Sequence, residues 1–237
     1  MSAKPEGEII LAVPSKGRLE EQSRKVFADA GLPIERPGGA RSYQGKIAGQ
    51  SYIVVRFLSA GEIARELVRG NLDMGITGTD LIHEASRNGP DKVIVAKALG
   101  FGQADVVVAV PDVWLDVSAM SDLSDVAADF SSRHGRWLRV ATKYVNLTRR
   151  CFAAHGIAEY KIVESLGATE AAPASGAADL IVDITSTGST LKANGLRVLE
   201  DGVILKSEAS LVVSRTRNLS ERRQALLDRV LGAFRAD

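Results

Sequence analysis

Short apolar runs recur along this chain, and most are followed by a stretch with helical spacing. Ile9–Val13, Val106–Val110 and Leu180–Val182 have no alternating polar positions. A strand that is apolar at every position is buried on both faces, as in a parallel sheet covered by helices. Further runs centre on Tyr52–Val55, Asp73–Thr77, Lys92–Ala98, Arg139–Thr142, Tyr160–Glu164 and Glu208–Ser214. Between them, Leu19–Ala30, Ala60–Arg69 and Asn146–His155 carry helical periodicity and stop at Gly31, Gly70 and Gly156. A short helix is expected over Glu170–Ser175, and a terminal helix over Ser220–Phe234 with Ser220 as its cap. Strands alternating with helices imply β-α-β units and an α/β protein. The polar stretch from Val113 to Arg136 reads as a surface connection containing a Ser/Asp-rich helix.

The chain has 237 residues, enough for one large domain or two small ones. Aromatic residues make up only 5%, so the core must be built mainly of Val, Leu, Ile and Ala. With 30 basic and 29 acidic residues the net charge is +1, which provides no global field for nucleic acid or membrane. Any affinity for phosphate must be local. Cys151 is the single cysteine, so no internal disulfide forms and a cytoplasmic location is expected. Met1–Glu8 lacks the apolar core of a signal peptide, and no run approaches the length of a membrane span.

The segment from Asp179 to Leu191 is the most informative chemically. An apolar run ends in Asp183, a loop of small hydroxyl residues surrounds Gly188, and a helical pattern starts at Leu191. Backbone N–H groups at a helix N-terminus attract anions. Thr185, Ser186, Thr187, Ser189 and Thr190 add hydroxyl donors, and Gly188 allows close approach of the backbone. No Gly-Lys-Ser/Thr follows, so this is not a P-loop. The loop reads as a cradle for a sugar monophosphate, such as the 5-phosphate of phosphoribosyl pyrophosphate, with Asp183 placed for sugar hydroxyls. An ordinary capped helix after a strand has the same composition.

Other candidates are more dispersed. Lys16, Gly17 and Arg18 follow the first strand and open a helix. Cations there oppose the helix dipole unless a polyphosphate is bound between them. Arg41 lies in a Gly/Pro-rich loop, Arg56 ends a strand, and Asp73 begins one. Tyr144 could stack on a base or belong to the core, and Glu170 could cap a helix or touch a ligand. His83, His134 and His155 have no metal-ligand spacing, so no protein metal site is expected.

Several of these segments resemble the ATP phosphoribosyltransferase family. Glu170, Gly176, the Asp183 strand and Thr187-Gly188-Ser189-Thr190-Leu191 match its signature. Lys192–Leu196, Ser15–Leu19, Asp73–Gly78 and Ala141–Leu147 are similar in the same order. The resemblance implies two α/β lobes of the periplasmic-binding-protein type II kind with an active-site cleft. One lobe is expected over about 1–103, completed by about 195–237, and the other over 104–194. It implies transfer of phosphoribose from phosphoribosyl pyrophosphate to N1 of the adenine of ATP, the first step of histidine biosynthesis. Asp183 and residues 185–190 would hold phosphoribosyl pyrophosphate. Lys16, Gly17, Arg18, Arg56, Asp73, Tyr144 and Glu170 would serve ATP, with Lys16, Arg18 and Arg41 acting on phosphate charge during catalysis. Mg²⁺ would arrive with the substrate phosphates. The length matches the short form, which implies a homodimer within a hetero-oligomer with a histidyl-tRNA-synthetase-like regulatory subunit. The alternative is a small-molecule binding or sensing protein of the same fold.

Overall fold

The computed structural model describes residues 8–39, 42–165, 167–217 and 219–234. The chain divides into two compact units, one formed by Met1–Gly102 with Glu208–Asp237, the other by Gln103–Ser207.

The first unit is built on a seven-stranded sheet. Its strands are β1 (Ile9–Pro14), β2 (Ile34–Glu35), β3 (Gln44–Ile47), β4 (Gln50–Leu58), β5 (Met74–Gly78), β6 (Val93–Ala98) and β12 (Ala209–Ser214), in the order β2-β3-β4-β1-β5-β12-β6. β1 runs parallel to β4 and β5, while β12 returns antiparallel between β5 and β6. All six residues of β1 are buried. Successive side chains point to opposite faces of a strand, so β1 serves two cores. Ile9, Leu11 and Val13 pack with Phe27 of α1 (Gly17–Asp29) and with Leu227 and Val230 of α7 (Glu221–Gly232). Ile10 and Ala12 pack with Ile63, Ala64 and Leu67 of α2 (Ala60–Val68) and with Ile82 of α3 (Thr79–Ala85). Ser59 caps α2 through the Glu62 N–H, and Ser220 caps α7 through the Arg223 N–H.

The second unit has five strands: β7 (Ala104–Pro111), β8 (Leu138–Thr142), β9 (Tyr160–Glu164), β10 (Leu180–Thr185) and β11 (Leu196–Ser207). Their order is β11-β7-β10-β8-β9. β10 is parallel to β8 and antiparallel to β7. Its core joins Val107, Ala109, Ala141 and Ile181 with Leu191 of α6 (Ser189–Ala193). α5 (Val145–Ala154) follows β8.

Three expectations are corrected here. β11 belongs to the second sheet, paired with β7, so the chain re-enters the first unit at 208 and not at 195. The expected helix over Glu170–Ser175 is a single 3-10 turn at Thr169–Ala171. The polar 113–136 region contains α4 (Met120–His134), which buries Met120, Leu123, Ala127 and Phe130 and so forms part of the core. Among the described residues, no helix is long and apolar enough to cross a membrane.

Candidate active site

β10 changes character along its length. Leu180, Ile181 and Val182 are buried, whereas Asp183, Ile184 and Thr185 are partly open. The open end leads into the hydroxyl loop, which lines a cavity of about 370 Å³ with Lys143 and the 167–170 segment. Gly188 caps α6 with φ 72°, and a Cβ built there would meet no atom within 4 Å. Its glycine is therefore required by the left-handed backbone, not by crowding within the chain. The Gly188 N–H donates to Thr185 Oγ1 at 2.9 Å, and the Thr187 and Ser189 hydroxyls lie 2.8 Å apart. These bonds hold the loop in shape. α6 has only five residues, so its dipole adds little, and the donors the cavity offers are the loop N–H and hydroxyl groups and the Lys143 ammonium.

Asp183 Oδ1 accepts the Ile184 N–H at 2.8 Å and pairs with Lys143 Nζ at 3.3 Å. Glu170 lies in the 3-10 turn and lines the same cavity. The turn begins at Ala168, which has φ 49° and is the one non-glycine residue with positive φ among those described. A strained alanine on the cavity wall shows that the backbone path there is imposed by its surroundings. Thr169, buried below it, donates to Ser165 Oγ at 3.0 Å.

In the first unit, β1 ends at Pro14 and the chain turns through Lys16 and Gly17, the latter at φ 69°. Lys16 and Arg18 are exposed at the start of α1. Arg36, a residue that the sequence reading passed over, braces this turn. It donates to Ser15 O at 3.2 Å, Ser42 O at 2.7 Å and Glu20 Oε1 at 3.0 Å, and stacks 4.0 Å above the Phe57 ring. Arg56 is exposed on β4, in register with Ala12 of β1. Arg41 lies outside the described residues.

Asp73 is not available to ATP. Its side chain is fully buried, accepts the Ile10 N–H at 2.7 Å, and forms ion pairs with Arg217 and Arg223. Tyr144 is likewise removed from ligand contact, since it is 2% exposed and its N–H donates to Thr142 Oγ1 at 2.8 Å. Both are parts of the fold. Lys143, also passed over, reaches the cavity that Tyr144 does not. No group of three or more His, Cys, Asp or Glu residues suited to a metal is found among the described residues.

The family described as HisG, ATP phosphoribosyltransferase, matches residues 59–235, a span that includes β10, the hydroxyl loop and α6. The chain belongs to the ATP phosphoribosyltransferase family. Members of this family act at the first step of histidine biosynthesis. The chain is 57% identical over 215 residues to the ATP phosphoribosyltransferase of Bradyrhizobium sp. (strain ORS 278), covering 91% of this chain and 66% of that one. It is 55% identical over 229 residues to the Sinorhizobium medicae enzyme, covering 96% of this chain and 98% of that one. It thus spans about two thirds of one relative and nearly the whole of the other. Among solved structures, the HisG:HisZ ATP phosphoribosyl transferase complex of Thermotoga maritima contains a similar chain, with TM-score 0.69 and 27% identity over 97% of this chain and all of that one. A substrate-binding protein of an amino acid ABC transporter aligns over 97% of this chain and 92% of that one, with TM-score 0.51. At 13% identity that likeness concerns the fold alone, which is of the periplasmic-binding-protein type.

Proposed function

We propose that this ATP phosphoribosyltransferase grips phosphoribosyl pyrophosphate with the β10–α6 loop and its flanking carboxylate. The observation that carries the reading is the cavity in which Asp183 and the 185–190 hydroxyl loop stand together, within the span matched by the family. Thr185, Ser186, Thr187, Gly188, Ser189 and Thr190 hold the 5-phosphate, and Asp183 accepts the ribose hydroxyls. Lys16 and Arg18, with Arg41 and Arg56, meet the phosphates of ATP or the departing pyrophosphate, and Gly17 allows their turn. Glu170, which lines the same cavity as Asp183, contacts the nucleotide.

The transfer joins N1 of adenine to C1 of the ribose as pyrophosphate leaves. Adenine N1 has a lone pair at neutral pH, so the chain's task is to orient the two substrates and stabilise developing charge. The transition state resembles an oxocarbenium ion, and Asp183 beside the ribose favours positive charge at C1. The family uses a metal with its phosphate substrates. Mg²⁺ suits this role, since it binds through substrate phosphates plus one or two carboxylates, and Asp183 and Glu170 are the carboxylates lining the cavity. When bound it neutralises pyrophosphate charge. A cytoplasmic location fits these substrates. The HisG:HisZ assembly of the Thermotoga relative supports a regulatory partner and a hetero-oligomer. The family resemblance adds that the partner is histidyl-tRNA-synthetase-like and that this chain forms a homodimer within the assembly.

The test is pyrophosphate release from ATP plus phosphoribosyl pyrophosphate by the purified chain, with and without the candidate regulatory subunit. Release dependent on both substrates is expected. Binding of either substrate with no release under both conditions would favour a two-lobed binding or sensing protein.

A further inference from the structure

Lys143 has no part in the assignments above, yet its ammonium stands at the cavity. It follows β8, whose Thr142 is in parallel register with Val182 of β10. It therefore stands beside Asp183 on the neighbouring strand, whereas the hydroxyl loop continues from β10 itself. Its Nζ is 3.3 Å from Asp183 Oδ1, and 5.3 Å from the centroid of the Tyr144 ring. The Lys143 side chain is 43% exposed and that of Asp183 only 13%. The carboxylate is thus held in place, by the Ile184 N–H among others, while the ammonium is the more exposed partner and sits on a flexible stem.

We propose that Lys143 is a pyrophosphate-binding residue of the transfer. Its ammonium pairs with Asp183 in the resting site and passes to the pyrophosphate group once ribose hydroxyls occupy the carboxylate. The proposal rests on the assignment of Asp183 and the loop to phosphoribosyl pyrophosphate. With the 5-phosphate in the loop and the hydroxyls on Asp183, a cation paired with Asp183 from the neighbouring strand stands by the ribose. A half-exposed ion pair is weak, so exchanging its carboxylate for a more highly charged partner is favourable. Lysine suits the exchange, being a compact point charge with three donors and no fixed geometry. During transfer the C1–O bond breaks with its electron pair leaving on pyrophosphate, while adenine N1 supplies the pair for the new C1–N1 bond. Lys143 remains an ammonium throughout, and its attraction grows as charge gathers on the leaving oxygens.

The experiment compares phosphoribosyl pyrophosphate with ribose 5-phosphate, which has the same 5-phosphate but no pyrophosphate. Both are titrated calorimetrically, with Mg²⁺ present, into the full chain and its Lys143→Met and Lys143→Arg variants. Lys143→Met is expected to weaken phosphoribosyl pyrophosphate at least tenfold while ribose 5-phosphate stays within twofold. Lys143→Arg should recover most of the loss, because the cation is kept. Equal phosphoribosyl pyrophosphate affinity in Lys143→Met would overturn the proposal. So would a parallel loss for both ligands, since Lys143 would then act only through Asp183. Failure of the underlying assignment has a different signature. Ribose 5-phosphate would then not bind the parent chain at all, and the proposal would fall with the assignment.

Discussion

Arg223 on α7 closes on Asp73, 150 residues earlier in the chain, with one guanidinium nitrogen 3.0 and 2.9 Å from the two carboxylate oxygens. Arg217 joins the same carboxylate, and the side chains of both arginines are mostly buried, at 7% and 15% exposure. Burial and the neighbouring Arg223 push the Arg217 pKa down, while Asp73 opposes them. Asp73 thus ties the start of β5 to β1 and to the returning C-terminal segment. Breaking a buried pair by removing one partner costs about 3–5 kcal/mol, because a charge is left uncompensated. Asp73→Ala should lose stability of that order in urea denaturation while binding phosphoribosyl pyrophosphate like the parent. A loss below about 1 kcal/mol would mean that the arginines find other partners.

Asp179 makes the second unit sensitive to acid. Its carboxylate receives a two-pronged grip from Arg136, at 2.6 and 2.8 Å, and the Arg139 N–H at 2.8 Å. Burial pushes its pKa up, but the bonds from Arg136 and Arg139 outweigh that and hold it at about 2, against an ordinary 3.8. A carboxyl with a depressed pKa stabilises the fold above its unfolded pKa, and loses that contribution as pH falls through the folded one. The window is therefore about pH 4 down to 2. Asp179→Asn should be less stable than the parent at neutral pH, and the gap should close across that window. Urea midpoints measured at several pH values follow this, and a gap that is constant with pH would exclude Asp179 as the source.

How far the fold was legible depended on whether its determinants are local. β1 and β7 announce themselves as unbroken apolar runs because helices or neighbouring chain cover both faces. β11 does not, because Arg197, Glu200, Asp201 and Lys206 give an edge strand a polar surface. A register shift between Val198 and Val203 also disturbs its pattern. Gly202 lies in that irregular stretch, where a Cβ would come within 2.9 Å of Val108 O. The short β3, which lies between β2 and β4, shows no apolar run either, because its Gln44 and Lys46 are exposed. In the candidate site, the hydroxyl loop was readable because its residues are consecutive. Asp73 was misjudged because its partners, Ile10, Arg217 and Arg223, come from distant chain, and Tyr144 because its burial is set by the folded chain and not by its place at a strand end. Lys143 was missed because its partner is 40 positions away (Asp183).

Gly188 provides a direct test of the loop. Its φ of 72° disfavours any side chain, and the space beyond its Cα is open to a ligand. Gly188→Val should cost about 1–2 kcal/mol in stability from the left-handed backbone. It should also weaken phosphoribosyl pyrophosphate far more than ATP, because the branched side chain would occupy phosphate space. Calorimetry on the folded variant separates the two effects. Unchanged phosphoribosyl pyrophosphate affinity would place the phosphate elsewhere.

Arg18 tests the other unit. It is exposed at the first turn of α1, where a cation meets the positive end of the helix dipole and adds nothing to stability. The neighbouring turn is nevertheless braced by Arg36 through Ser15 O. A braced loop that displays Lys16 and Arg18 to solvent is suited to polyphosphate. Arg18→Ala should leave the urea midpoint unchanged or raised, and lower kcat by about 10²-fold if the contact tightens as charge develops on pyrophosphate. Arg18→Lys should recover little, because a bidentate grip needs the planar guanidinium. Steady-state rates for Arg18→Ala within a factor of two of the parent would reduce Arg18 to a solvated surface charge. The phosphates would then have to be met by Lys16, Arg41 and Arg56, whose own substitutions the same assay would rank.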